Sequence, residues 1–315
     1  MNTNMTLWRT VLFTSIALLA FAGNSVLCRL ALGEQSIDAG SFTVIRLLSG
    51  IMTLTLLWYF SGMLSESKSK SKSKSKQKQV AIPAGRGSWS AALMLFIYAI
   101  TFSYAYISLD TGTGALILFG AVQITMILVS WIKGGRLQWP EWLGLFLAFG
   151  GFVYLLAPLL STPSVSGFLL MTASGIAWGL YTLKGRSSQR PLADTHFNFL
   201  RTLPLLLISM LFLLDSGYLT VTGIVLAILS GSLASGVGYA IWYLALNGLS
   251  AVQAAVLQLL VPVIAALGGV VFAAEEISLR LIIASLMVLG GILMVVLGRY
   301  YLSVLSAEKV AGSDG

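Results

Sequence analysis

The sequence predicts an all-α membrane protein in which ten transmembrane helices form two inverted five-helix repeats. Three observations predict it. The 315 residues are 57% hydrophobic and only 10% charged, with a mean hydropathy of +0.90; a soluble domain is about 45–50% apolar and about 25% charged. Long charge-free stretches recur at the length needed to cross about 30 Å of hydrocarbon. Short motifs of the first half return in the same order in the second. So few charges cannot cover a water-soluble surface, which excludes a soluble enzyme, a nucleic-acid binder and a disordered scaffold.

The spans follow from the charge-free stretches. Span 1, near 8–29, comes from the stretch 10–28. Arg9 and Ala20-Phe21-Ala22 imitate a signal peptide, but cleavage would destroy the duplication, so the segment is read as an uncleaved span. Span 2 lies near 41–61, and a Ser-Lys tract too polar to pack follows it, within a loop at 62–87. Spans 3 and 4 lie near 88–109 and 112–132 on either side of Asp110. A double-length stretch, 142–183, breaks at Pro158 and Pro163 into span 5 (140–157) and span 6 (165–184). Span 7, 195–214, is interrupted by Arg201. The stretch 216–274 breaks at Asn247-Gly248-Leu249-Ser250 into span 8 (219–246) and span 9 (250–272), and span 10 lies near 278–299.

Charge sets the expected orientation. Of 19 basic residues, seven (Lys68, Lys70, Lys72, Lys74, Lys76, Lys78 and Arg86) fall in the loop after span 2. Cytoplasmic loops collect Lys and Arg, so the net charge of +8 reports topology rather than nucleic-acid binding. Both termini are expected in the cytoplasm of a multi-pass inner or plasma membrane protein. Trp8, Trp58, Trp89, Trp131, Trp139 and Trp142 then fall at cytoplasmic helix ends, as interfacial aromatics do.

The duplication fixes the domain plan. Phe42-Thr-Val-Ile-Arg46 returns as Phe197-Asn-Phe-Leu-Arg201, and Phe21-Ala22-Gly23 as Ala177-Trp178-Gly179. Tyr106-Ile-Ser-Leu-Asp110 returns as Tyr243-Leu-Ala-Leu-Asn247, and Gly150-Gly151 as Gly290-Gly291. The expected units are residues 1–160, residues 161–300 and a cytoplasmic tail at 301–315. Five spans is an odd number, so the second copy enters the bilayer from the opposite side, the arrangement of many secondary transporters.

These residues resemble the drug/metabolite transporter superfamily in its ten-helix form with two EamA-type repeats, over roughly residues 8–299. The resemblance rests on the glycine-containing first helix of each half (Phe21-Ala22-Gly23-Asn24 and Trp178-Gly179) and on Arg46 and Arg201 early in each second helix. The second half adds Pro262, Glu276 and Gly290-Gly291. The first half departs from the pattern, with Thr125 in place of the proline and Lys133-Gly-Gly-Arg136 in place of the acidic turn. The resemblance implies export or exchange of small metabolites, amino acids among them, through a central cavity lined mainly by spans 1–4 and 6–9.

Candidate binding residues come from polar and aromatic groups placed inside spans. A mid-helix guanidinium costs about 2.5–3.5 kcal/mol to insert, so Arg46 and Arg201 are either paired docking residues for an anionic group or braces between helices. Trp178 with Tyr181, and Tyr239 with Trp242, share helix faces at a spacing of three; they clamp a ring-bearing solute or pack between helices. Asn24, Gln123 and Gln258 each need a partner in hydrocarbon, from substrate or from another helix. Pro262 deprives the Gln258 carbonyl of its i+4 donor and marks a hinge. Ser230, Ala234 and Gly238 form a small-residue seam on span 8.

No carboxylate falls at mid-span, which points to exchange or downhill movement without a buried acid as proton carrier. With His196 and Cys28 as lone examples of their kinds, no metal site and no cofactor is expected. The expected partners are a small-molecule substrate and the bilayer, in a monomer or homodimer without nucleic acid. The function expected is a secondary transporter of small, carboxylate-bearing solutes by alternating access. The competing class is a membrane sensor or assembly subunit that does not transport.

Overall fold

The computed structural model describes residues 7–71, 86–134, 139–156, 165–185, 188–211, 217–246, 248–249 and 251–311. Among them the chain is almost wholly helical, because hydrocarbon offers backbone groups no partner and only a helix satisfies each within its own segment. Six unbroken helices come first: α1 (Leu7–Gly33), α2 (Ala39–Ser71), α3 (Trp89–Ala105), α4 (Thr111–Ile132), α5 (Trp139–Leu156) and α6 (Val165–Gly185). Span 7 is two pieces, α7 (Pro191–Leu200) and α8 (Leu203–Leu211). Span 8 comprises α9 (Val221–Leu229), a π-helical segment (Ser230–Val237) and α10 (Gly238–Leu246). Span 9 is α11 (Ala251–Gln258) and α12 (Leu260–Ala273); span 10 is α13 (Leu279–Ala311). Seven stretches are long and apolar enough to cross a membrane, and α3 is a shorter apolar helix.

The breaks have local causes. Pro204 lacks the N–H that would reach the Leu200 carbonyl, and its ring crowds that turn, so the helix parts at Arg201 and Thr202. Pro262 does the same for Gln258, and the break falls at Leu259, where the sequence puts the hinge. Ser88 caps α3 by accepting from the Ala91 N–H at 3.2 Å, and Thr220 caps α9 by accepting from Gly223 at 3.1 Å. Ala274 ends α12 in the left-handed region (φ 50°), with the Glu275 N–H on the Gly269 carbonyl at 3.1 Å. That turn aims Glu275 back at α4.

Two expectations are modified. The Ser-Lys tract does not leave the helix at once: α2 runs to Ser71. The remainder of the tract, 72–85, and the predicted breaks at Pro158 and Pro163 lie outside the described residues. The small-residue seam of span 8 is buried as expected, but on a π-helical rather than an α-helical turn. Residues 301–311, within the expected cytoplasmic tail, continue α13.

Helix packing follows a regular scheme. Helix α6 packs on α3 and α4, while α1 packs on span 8 and α12; α2 meets span 7 and span 8, α4 meets α12, and α5 pairs with α13. Exchanging each span for the one five places on turns the 3–6 contact into 8–1 and the 4–6 contact into 9–1. It returns 2–7, 4–9 and 5–10 to themselves. Glycine permits the closest approaches. A Cβ at Gly175 would meet the Ala121 Cβ at 2.6 Å and the Leu118 carbonyl at 2.7 Å, and one at Gly231 would land on the Arg46 carbonyl and the Ser49 hydroxyl.

Candidate functional site

Among the described residues Arg46 is the largest fully buried side chain, 2% exposed two turns into α2. Its Nη2 donates to the Tyr98 hydroxyl at 2.8 Å. Its Cζ lies 5.2 Å from the centre of the Tyr98 ring and 4.8 Å from that of Phe102, so two aromatic faces of α3 flank the cation. Nη1 is buried without a hydrogen-bond partner. Among the described residues no carboxylate pairs with it; both ion pairs there belong to Arg29.

Tyr98 is the hub. Its hydroxyl also accepts from Asn24 Nδ2 at 3.3 Å, and Asn24 Oδ1 in turn accepts from Ser230 Oγ at 2.6 Å. Ser174 fixes the backbone at this point by donating to the Tyr98 carbonyl at 3.0 Å. Spans 1, 2, 3, 6 and 8 thus meet in one polar knot. The π-helical turn takes part directly, since Ser230 opens it and Gly231 brings it against the Arg46 carbonyl. Single π turns recur at functional sites because they re-aim side chains within a helix.

An aromatic wall closes the other side. The Trp178 ring lies 4.8 Å from Tyr98, 5.2 Å from Tyr181 and 5.0 Å from Tyr239, with interplanar angles of 40°, 25° and 27°. Phe21 contacts both Tyr239 and Trp242 at 5.8 Å, and Phe199 reaches Tyr239 at 6.3 Å. Tyr98, Tyr181, Tyr239 and Trp242 are each 4–7% exposed, while Trp178 and Phe21 are half-buried.

Six sequence candidates therefore meet in one place: Asn24, Arg46, Trp178, Tyr181, Tyr239 and Trp242. Arg201 does not join them, and its surroundings differ from those of Arg46. The break imposed by Pro204 leaves it half-buried at the end of α7, where Nη1 donates to the Arg86 carbonyl and the guanidinium lies 5.8 Å from the Trp89 ring. Nearby, Asp194 accepts from the Gly87 N–H at 2.9 Å and Asn198 from the Ser88 N–H at 2.8 Å. Arg201 is one strap of three that tie α7 to the start of α3. Gln123 is buried in α4 and Gln258 half-buried at the end of α11; no hydrogen bond among the described residues joins either to the knot. Pro262 is buried beyond the break.

Sequence reading missed Tyr98 and Phe102, which sit in the strongly apolar α3 where nothing separates an aromatic hub from packing, and Phe199 in the more polar α7. It also missed a second network. Arg29 donates from Nε to Glu275 at 3.1 Å, from Nη1 to the Tyr106 carbonyl at 3.3 Å and from Nη2 to Asp110 at 3.3 Å. Glu275 accepts from the Thr111 N–H at 2.9 Å and from its hydroxyl at 3.1 Å, capping α4. The ends of α1, α3, α4 and α12 are stapled by one cation and two carboxylates. The acid engaged is Glu275; Glu276, on which the resemblance rests, is exposed beside it.

The EamA-like transporter family profile matches residues 165–297. An uncharacterized protein of Pseudomonas aeruginosa is 48% identical over 291 residues, covering 92% of this chain and 96% of its own. An uncharacterized transporter of Archaeoglobus fulgidus is 31% identical over 173 residues, 52% of this chain and 60% of its own. A solved crystal structure of a protein superposes with a TM-score of 0.57 at 18% identity, covering 90% of this chain and 97% of that one, a likeness of fold. Residues 165–297 of this helical membrane protein thus match the EamA-like transporter family, of the drug/metabolite transporter superfamily, which supports a membrane transporter in general.

Proposed function

We propose that the protein carries small anionic organic solutes, carboxylates among them, across the inner or plasma membrane by alternating access around Arg46. The observation that carries this reading is the buried guanidinium whose Nη1 has no protein partner. A buried charge is costly unless paired and hydrogen-bonded. A phenol and two ring faces recover part of that cost, and the oxygens of a carboxylate would complete it through charge-assisted bonds. Tyr98 accepts from two donors and keeps its own hydroxyl proton for a third group. Arg46 Nη1 and the Tyr98 hydroxyl together form a two-donor seat for an anion, with the rings of Trp178, Tyr239 and Trp242 beside it.

Residues 1–160 and 161–300 act as two halves of opposite topology, with both termini in the cytoplasm. The exchange pattern of the packing, 3–6 with 8–1 and 4–6 with 9–1, supports that pairing. Rocking of the halves opens the cluster to one side at a time, the route inverted repeats take to alternating access. The break before Pro262 and the π turn of span 8 are places where the packing can give. The test is counterflow into proteoliposomes loaded with amino acids, organic acids or nucleotide-sugars. Saturable exchange of a carboxylate that Arg46→Gln abolishes supports the reading; binding without flux would assign the fold to a sensor.

A further inference from the structure

The charge count at the knot goes beyond the presence of an anion seat and restricts what fits there. A guanidinium holds one positive charge. The polar groups that meet Arg46 and its hub from the surrounding helices are Asn24, Cys28, Tyr98, Ser174, Ser230 and Tyr239, an amide, a thiol and hydroxyls with no carboxylate among them. The carboxylates at the neighbouring helix ends make no contact pair with Arg46. Asp38, eight residues earlier and so about 12 Å along the helix, caps α2 by accepting at Oδ1 from the Ser41 N–H at 2.8 Å, and its Oδ2 is buried without a hydrogen-bond partner. Glu275 is taken by Arg29 and Thr111.

We infer that the solute carries a single net negative charge: a small apolar or ring-bearing monocarboxylate, with neither an ammonium group nor a second ionised oxygen. The inference rests on the reading of Arg46 as the anion seat. A monoanion brings the buried site to neutrality. A zwitterionic amino acid leaves it at +1 and sets its ammonium where the described residues offer no carboxylate. A phosphate monoester leaves it near −1 with one guanidinium to serve two charges. Each mismatch leaves an uncompensated charge in a low-dielectric interior, which the Coulomb energy makes costly. The aromatic wall adds a preference for an apolar or flat carbon skeleton.

The test uses the purified full-length protein and three probes that share a phenyl ring but differ in charge: 3-phenylpropionate, phenylalanine and phenyl phosphate. Each is titrated at pH 7.5 by ligand-induced thermal shift and as a competitor in proteoliposome counterflow. The expected result is at least about tenfold tighter apparent affinity for 3-phenylpropionate than for the other two. Arg46→Gln should remove that preference. Equal or tighter binding of phenylalanine or phenyl phosphate that still depends on Arg46 overturns the charge count while leaving the anion seat intact. Binding of all three probes unchanged in Arg46→Gln, with the variant folded by size-exclusion profile, defeats the seat itself. Failure of 3-phenylpropionate to bind at millimolar concentration also overturns the proposal.

Discussion

Replacing Arg46 with methionine separates a binding residue from a brace, because the two roles predict different stabilities. The wild-type side chain is buried with one hydrogen bond to Tyr98, two flanking rings and no counter-charge. Arg46→Met removes a hydrogen bond to a charged group, about 1.5–3 kcal/mol, and two cation–π contacts of about 2 kcal/mol each at a desolvated site. It also removes an insertion cost of about 2.5–3.5 kcal/mol and places a flexible apolar chain of similar reach in the space. Tyr98 keeps the Asn24 donor, so no acceptor is orphaned. The terms offset in large part, and the variant should lie about 3 kcal/mol below wild type. At about 2–4 °C per kcal/mol, the melting temperature in detergent should fall by about 6–12 °C, while carboxylate counterflow is lost. Differential scanning fluorimetry and counterflow on the same preparation read both. A fall of more than about 15 °C, or failure to yield monodisperse protein, would mean that Arg46 braces the bundle, and the argument from its unpartnered Nη1 would collapse.

Tyr98→Phe deletes the acceptor shared by Arg46 and Asn24; it should destabilise by about 1–3 kcal/mol and weaken anion affinity at least about tenfold, both measurable by thermal shift with and without ligand. Gly231→Ala drives a methyl into the α2 backbone and should cost about 1–3 kcal/mol by overpacking, whereas Leu233→Ala, at an exposed position two residues on, should cost less in the same melt. Glu275→Ala removes the partner of both Arg29 and Thr111; a double-mutant cycle with Arg29→Ala should return a coupling of about 0.5–3 kcal/mol. Pro262→Ala restores the donor to Gln258 and should slow counterflow at unchanged ligand affinity, a split between rate and binding that a purely structural proline would not produce.

Much of this was legible from composition and spacing. Charge-free lengths gave the ten spans, and Pro262 gave the break at Leu259 to within a few residues. The Arg46 motif pointed to a buried cation, because an arginine inside a hydrophobic run has few reasons to be there. Its repeat, Arg201, has different surroundings for a local reason: three residues on, Pro204 parts the helix and leaves Arg201 half-buried beside Arg86 and Trp89. The family profile matches 165–297, the half that carries Pro262, Glu276 and Gly290-Gly291. Tyr98 was hidden because tyrosine in an apolar helix looks like packing until its partners are known. The Arg29–Glu275 staple was hidden because its members are 246 positions apart and each reads singly as a helix-end charge. The π turn left no pattern distinct from the small-residue seam it occupies.

The account turns on a single site reached from both sides of the membrane in turn. Side-specific labelling of Ser230→Cys in a Cys28→Ala background measures this most directly, with a membrane-impermeant thiol reagent applied outside, or trapped inside, oriented proteoliposomes. The account predicts modification from each side, slowed in both cases by a bound monocarboxylate. Modification from one side alone, unaffected by any anionic solute, would contradict it.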